Sequence, residues 1–204
     1  MYISYIARAI LAIALAHPIA AASEVTSPAA ANIECAKLLE SVRTDPPPTS
    51  HVRILQSRNE TARQSGMSVA KSSSSNAFDE AVSQLLEQCS LVGELPSPTP
   101  SRSRQFLVQV PAHYLPKDSA SPRTGKCGPT PEDYPIEARR LRIEGNVKVA
   151  LVVSPGGHIA LAYELAPSAD ERLVSATLNL LARCRIESVE EHAFTTVEYR
   201  WKLQ

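Results

Sequence analysis

YPIEARRLRIEGNVKVALVV, Tyr134 to Val153, is the stretch whose reading decides the fold. Proline at position 135 suits the first turn of a helix, where a missing N–H is not needed. Gly145 is expected to stop that helix, because glycine takes a positive φ without a Cβ penalty. From Asn146 the period changes from helical to two. Val147, Val149, Leu151 and Val153 point one way; Asn146, Lys148, Ala150 and Val152 point the other. Ser154-Pro155-Gly156-Gly157 is a turn signal, and Ile159, Leu161, Tyr163 and Leu165 alternate after it. The expectation is a β-hairpin behind a short helix.

Downstream, Ser168-Ala169-Asp170-Glu171 has the form of a capping box, with Ser168 as the cap and Glu171 reaching back. Leu173, Thr177, Leu180, Leu181 and Cys184 then share one helical face, and Arg183 and Arg185 complement the C-terminal dipole. The last segment alternates. Val197, Tyr199, Trp201 and Leu203 face in; Thr196, Glu198, Arg200 and Lys202 face out. The order helix-strand-strand-helix-strand predicts an α+β unit. Its two helices form one layer on a small antiparallel three-stranded sheet whose outer face is wet.

Tyr134-Pro135, Ala138-Arg139 and the run Leu141 to Val149 around Gly145, followed by a glycine-containing turn, closely resemble the C-terminal domain of TonB, the periplasmic energy transducer. The resemblance covers about Cys127 to Gln204. It implies a domain that binds the short N-terminal segment of outer-membrane transporters by strand addition to its last β-strand. Here that strand is Phe194 to Leu203, with Phe194, Thr196, Glu198, Arg200 and Lys202 as the binding edge. Its other side is expected to pair with the first strand of the hairpin. A role in transmembrane transport and energy transduction is implied in the same way. Two features depart from the family. The second helix ends in Cys184-Arg185-Ile186-Glu187-Ser188 rather than aromatic-x-aromatic-x-Pro. The short apolar segment is also not expected to serve as the family's uncleaved anchor with its Ser/His motif, and the linker does not show the long Pro-Lys/Glu-Pro repeat.

Upstream, residues 1–22 read as a signal peptide. Arg8 ends a short n-region, Ala9 to Ala16 is apolar, and Ala20-Ala21-Ala22 offers a cleavage site before Ser23. His17 and Pro18 interrupt the apolar run, which is shorter than the roughly 20 residues a spanning helix needs. A retained inner-membrane anchor is the alternative, because the n-region carries little charge. Residues 23–92 read as a helical region with two amphipathic helices, Ala30 to Val42 and Asn76 to Cys89, the second capped by Asn76. His51 to Lys71 between them allows only a short helical piece, and Ser72 to Ser75 reads as a flexible loop. Residues 93–126, rich in Pro and Ser, read as a solvated linker. Phe106, Val108 and Val110 within it alternate, as an edge strand on the C-terminal sheet or as an extended linker segment.

Export favours disulfides among the four cysteines. If the two upstream helices pair antiparallel, Cys35 lies near the start of one and Cys89 near the end of the other, so Cys35–Cys89 is the pairing that geometry permits. Cys127 precedes the first C-terminal helix and Cys184 ends the second, which leaves Cys127–Cys184 within the second module. No CxxC pair is present, so zinc and thioredoxin chemistry are poor readings.

Lys plus Arg equals Asp plus Glu, 21 each, so the chain has no electrostatic footprint for nucleic acid. No histidine pair has metal-ligand spacing, no phosphate loop follows the glycines, and Asp170-Glu171 is ordinary first-turn chemistry. No catalytic constellation, metal, cofactor or small-molecule substrate is expected. Two readings remain. One is a periplasmic module that captures an extended peptide, such as a segment of an outer-membrane protein, with a homodimer also possible. The other is a secreted, disulfide-stapled structural or adaptor protein that keeps only the fold.

Overall fold

The computed structural model describes residues 27–58, 65–89, 91, 103–114, 123–124, 127–165, 169–186 and 189–203. The expected signal segment lies outside them, as do Ser168 and much of the expected linker. In chain order the elements are α1 (Pro28–Ser41), β1 (Val52–Arg58), β2 (Ser65–Lys71), α2 (Asn76–Gln88), β3 (Arg104–Val108), β4 (Arg123–Thr124), α3 (Ile136–Arg140), β5 (Gly145–Val153), β6 (Ile159–Glu164), α4 (Glu171–Leu181), β7 (Cys184–Arg185) and β8 (Ala193–Trp201). The sheet has six strands rather than three, in the order β2-β1-β3-β6-β5-β8, with every neighbour antiparallel. β4 and β7 form a separate parallel pair.

The inward faces read from the sequence meet as expected. Val147, Val149, Leu151 and Val153 of β5, Leu173, Leu180 and Leu181 of α4, and Trp201 of β8 share one core. The outer face of the hairpin is not wet. Ala150 and Val152 of β5, with Leu161 and Tyr163 of β6, belong to a second core completed by α1, α2, β1 and β3. Those four side chains form an apolar surface, so a second helix layer has to cover it. A shift in register between Val152 and Val153, opposite Leu161 and Ile159, sorts β6 between the two cores. Ile159 falls in the first core; Leu161 and Tyr163 fall in the second.

The second layer is anchored at specific points. The Tyr163 hydroxyl donates to the Asn32 side chain of α1 at 3.0 Å, with both residues buried. Cys35 and Cys89 form the expected disulfide, with Cα atoms 5.7 Å apart. Cys127 and Cys184 stand as thiols, and the expected bond between them is not formed here. The Cys127 sulfur instead lies 3.9 Å from the Arg185 carbonyl.

Several local expectations are corrected. The region 52–71, expected to hold at most a short helical piece, is the antiparallel hairpin partner pair β1–β2. Val52 and Ile54 enter the second core, while Arg53 on the opposite face donates to the Ser175 hydroxyl of α4. The strand foreseen at Phe106 and Val108 exists, but it lies inside the sheet between β1 and β6 rather than at an edge. From there Gln105 donates to the Glu171 carbonyl and Gln109 to the Leu181 and Ala182 carbonyls. One strand of the expected linker therefore holds both ends of α4. The cap of α2 is Ser75, whose hydroxyl accepts from Phe78 N, and not Asn76. The observed cap of α4 is Asp170, which accepts from Arg172 N. Arg142, at φ 52°, makes the left-handed turn after α3 that had been assigned to Gly145. Gly156 and Gly157 do take positive φ in the hairpin turn. A Cβ on Gly157 would lie 2.1 Å from the Ile186 carbonyl oxygen, so only glycine fits there.

Two outcomes follow from this arrangement. Replacing both Cys35 and Cys89 by serine opens a link across a separation of 54 residues. It should cost about 2–5 kcal/mol in denaturant unfolding; an unchanged midpoint would show that the helix layer is held without it. His51, beside Lys71 at 3.0 Å, is pushed down from 6.5 to about 4 by burial, then by Lys71 and Arg53. The unfolded chain thus binds more protons at this site between those values. The stability contributed by neutral His51 is present above about pH 6.5 and lost as pH falls towards 4. His51→Gln should flatten the stability slope across that window. An identical slope in the variant would remove His51 from the account.

Candidate functional site

β8 is one border of the six-stranded sheet. It pairs with β5 along its whole length, from Ala193 opposite Val153 to Trp201 opposite Gly145. Among the described residues no strand pairs with its other side. The direction of its backbone groups follows from a neighbour. Lys148 lies opposite Glu198, and the Lys148 carbonyl accepts from Leu165 N at 2.9 Å, on the β6 side. Opposed residues of an antiparallel pair exchange both hydrogen bonds or neither. Glu198 therefore turns its N–H and C=O away from β5, to the open side. With period two and no register shift, Phe194, Thr196 and Arg200 do the same.

The side chains divide as the alternation requires. Tyr199 and Trp201 are buried in the first core, with Val197 and Leu203 packed against it. Thr196, Glu198, Arg200 and Lys202 are exposed. Phe194, named with them as part of the edge, instead packs against the second core under α1. Lys202 lies just beyond the end of β8. Mixed polar and charged side chains keep an edge soluble while its backbone stays accessible.

Both ends of the strand are fixed. Before its start, His192 Nε2 lies 2.6 Å from the Glu40 carboxylate of α1. At its end, the Trp201 indole donates to the Thr177 hydroxyl at 3.0 Å, and that hydroxyl donates to the Leu173 carbonyl at 2.8 Å. Leu203 N donates to the Glu144 carboxylate at 2.7 Å. Burial, then the proximity of Cys184 and Cys127, pushes the Tyr199 hydroxyl well above its usual range and keeps it neutral.

The residues that carried the resemblance build this end of the strand. Tyr134 stacks edge-on against Trp201 with ring centroids 5.5 Å apart, and its hydroxyl donates to the Ile143 carbonyl. Burial, then Glu144, raises the Tyr134 hydroxyl. Pro135 sits at the cap of α3, Ala138 is buried on its inner face, and Gly145 lies opposite Trp201. Their role is scaffolding. Arg139, one turn from Tyr134, lies over its ring at 5.9 Å and donates to the Pro131 carbonyl at 2.6 Å. Together with Pro129, Thr130 and the residues from Arg200 to Leu203, these groups line an open cleft at the end of β8. The sequence reading missed this cleft, because no local pattern around Pro129 and Pro131 marks it. His158, the histidine nearest the hairpin turn, accepts from the Arg185 guanidinium at 2.8 Å.

Residues 130–203 match the family model described as "Gram-negative bacterial TonB protein C-terminal". No curated protein and no solved structure matches the chain. The matched segment contains α3, β5, β6, α4, β7 and β8; the second helix layer and β1 to β3 lie outside it.

Thr177→Val keeps the volume but leaves the Trp201 indole N–H buried without its acceptor. It should destabilise the protein by about 1–3 kcal/mol in thermal or denaturant unfolding. Unchanged stability would mean that this bond does not hold the end of β8.

Proposed function

We propose that the chain is a periplasmic TonB-like protein whose β8 edge captures an extended peptide, a segment of an outer-membrane protein, by strand addition. The observation that supports this reading is the row of N–H and C=O groups at Thr196, Glu198 and Arg200 that no strand among the described residues pairs, on the strand that ends the TonB-type segment. Backbone hydrogen bonds supply affinity in such an arrangement, and alternate side chains tune specificity. The strand needs no rearrangement to receive a partner, since β5, Glu40 and Thr177 already hold it. A role in envelope transport is part of the same proposal. Among the described residues no helix is long and apolar enough to cross a membrane.

A second reading has its own observation. α1, α2, β1, β2 and β3 are built into the sheet and closed by the Cys35–Cys89 bond rather than set apart from it. That suits a secreted structural or adaptor protein that retains the TonB-type fold in a larger, rigid body.

Titrating an outer-membrane transporter N-terminal peptide into the full protein, read by backbone amide shifts, separates the two. The peptide should perturb Thr196, Glu198 and Arg200 selectively. Proline cannot donate to a ladder. Glu198→Pro or Arg200→Pro should therefore abolish binding with a modest loss of stability, while alanine at either site should change it little. If no such peptide shifts these amides at millimolar concentration, the adaptor reading takes its place.

A further inference from the structure

We infer that the cleft at the end of β8 is a receptor for a carboxylate, and that the segment captured by the edge carries an acidic residue where it passes Trp201; the second half rests on the strand-addition reading above. Tyr134 and Trp201 contribute aromatic surface to the cleft, and Arg139, Arg200 and Lys202 bring three cations to it. Among the described residues no acidic side chain lines it. Among the described residues none of the three cations is ion-paired with a carboxylate. Glu144, whose carboxylate acts on Tyr134, lies outside the lining and accepts the Leu203 N–H. Glu198 is two residues back along β8, opposite Lys148.

The consequence is a local positive field beside aromatic surface, which favours an anion. Arg139 is already placed. Its ring contact with Tyr134 and its bond to the Pro131 carbonyl fix the guanidinium. Most of its five N–H donors are left for a ligand. A planar guanidinium matches a carboxylate in two-point fashion, and the two neighbouring cations add charge. Arg200, Trp201 and Lys202 are consecutive along the chain, so a segment paired with Thr196 to Arg200 continues into the cleft without a turn. An acid on that segment brings a negative charge to the three cations of the lining. An amide of the same shape does not.

The test uses the full protein and two kinds of probe. N-acetylglutamate and N-acetylglutamine are titrated separately at constant ionic strength, reading the Arg139 side-chain N–H and the backbone amides from Arg200 to Leu203. The acid should shift these signals saturably and the amide should not. Arg139→Gln combined with Lys202→Gln should remove the response while leaving the amide spectrum of β5 unchanged. Equal responses to acid and amide, or no response to either, overturn the carboxylate receptor whether or not any peptide binds the edge. Two extended peptides then differ by Glu or Gln at the residue facing the cleft. The Glu peptide should bind roughly threefold to tenfold tighter, and the double variant should erase the difference. Equal binding of the two peptides by the unmodified protein would keep the edge and overturn the acidic residue. Failure of both peptides beside a positive N-acetylglutamate response would instead remove the strand-addition reading and the peptide half of the inference with it.

Discussion

The apolar outer face of the β5–β6 hairpin is the constraint on which the rest of the structure depends. Ala150, Val152, Leu161 and Tyr163 cannot face water together without a large hydrophobic cost. The sheet must therefore be covered on both sides. α4 and α3 cover one; α1 and α2, tied by Cys35–Cys89, cover the other. The same requirement explains β3. By pairing with β6 it closes the flank of the hairpin, inserts Phe106 and Val108 into the second core, and offers Gln105 and Gln109 to the ends of α4.

Among the described residues, growth of the sheet in one direction leaves the opposite border bare. Strands β3, β1 and β2 extend it beyond β6, and β8 remains the terminal strand on the β5 side. The rigidity of β8 comes from its pairing with β5 on one side and from the face of the sheet, with no strand on its other side among the described residues. Tyr199 and Trp201 are locked into the first core, and Glu40 and Thr177 hold the two ends. A strand held in this way keeps its outward N–H and C=O groups in register without using them. That is the property an added strand requires.

The C-terminal unit was legible because its signals are long and local. The valine ladder from Val147 to Val153, the helical stripe of α4 and the alternation of β8 each span enough residues to fix a period. Cys35–Cys89 was legible because two upstream helical stripes had to pack together; Cys89 caps the end of α2, while Cys35 lies in the middle of α1. β1 was missed because Arg53 bonds to α4 while Val52 and Ile54 face the second core, so the strand has work on both faces and the alternation of a one-sided strand is blurred. β2, Ser-Gly-Met-Ser-Val-Ala-Lys, has almost no pattern and takes its strand form from pairing with β1. The interior position of β3 depends on partners some 50 residues away on either side, which no local window contains. The outward side chains of β8, Thr196, Glu198 and Arg200, were legible from alternation, whereas the binding edge was implied by the resemblance. The cleft beside them was not legible, because it forms only when Pro129 to Tyr134 folds against the end of β8.

The most direct measurement is native-state hydrogen exchange of β8 in the free protein, residue by residue. Val197 and Tyr199 direct their backbone groups to β5 and should be protected to the level of the β5 core. Thr196, Glu198 and Arg200 direct theirs to the open side and should exchange far faster, giving an alternating profile along one strand. Uniformly strong protection from Thr196 to Arg200 would mean that the edge is already covered, and would contradict the account at its centre.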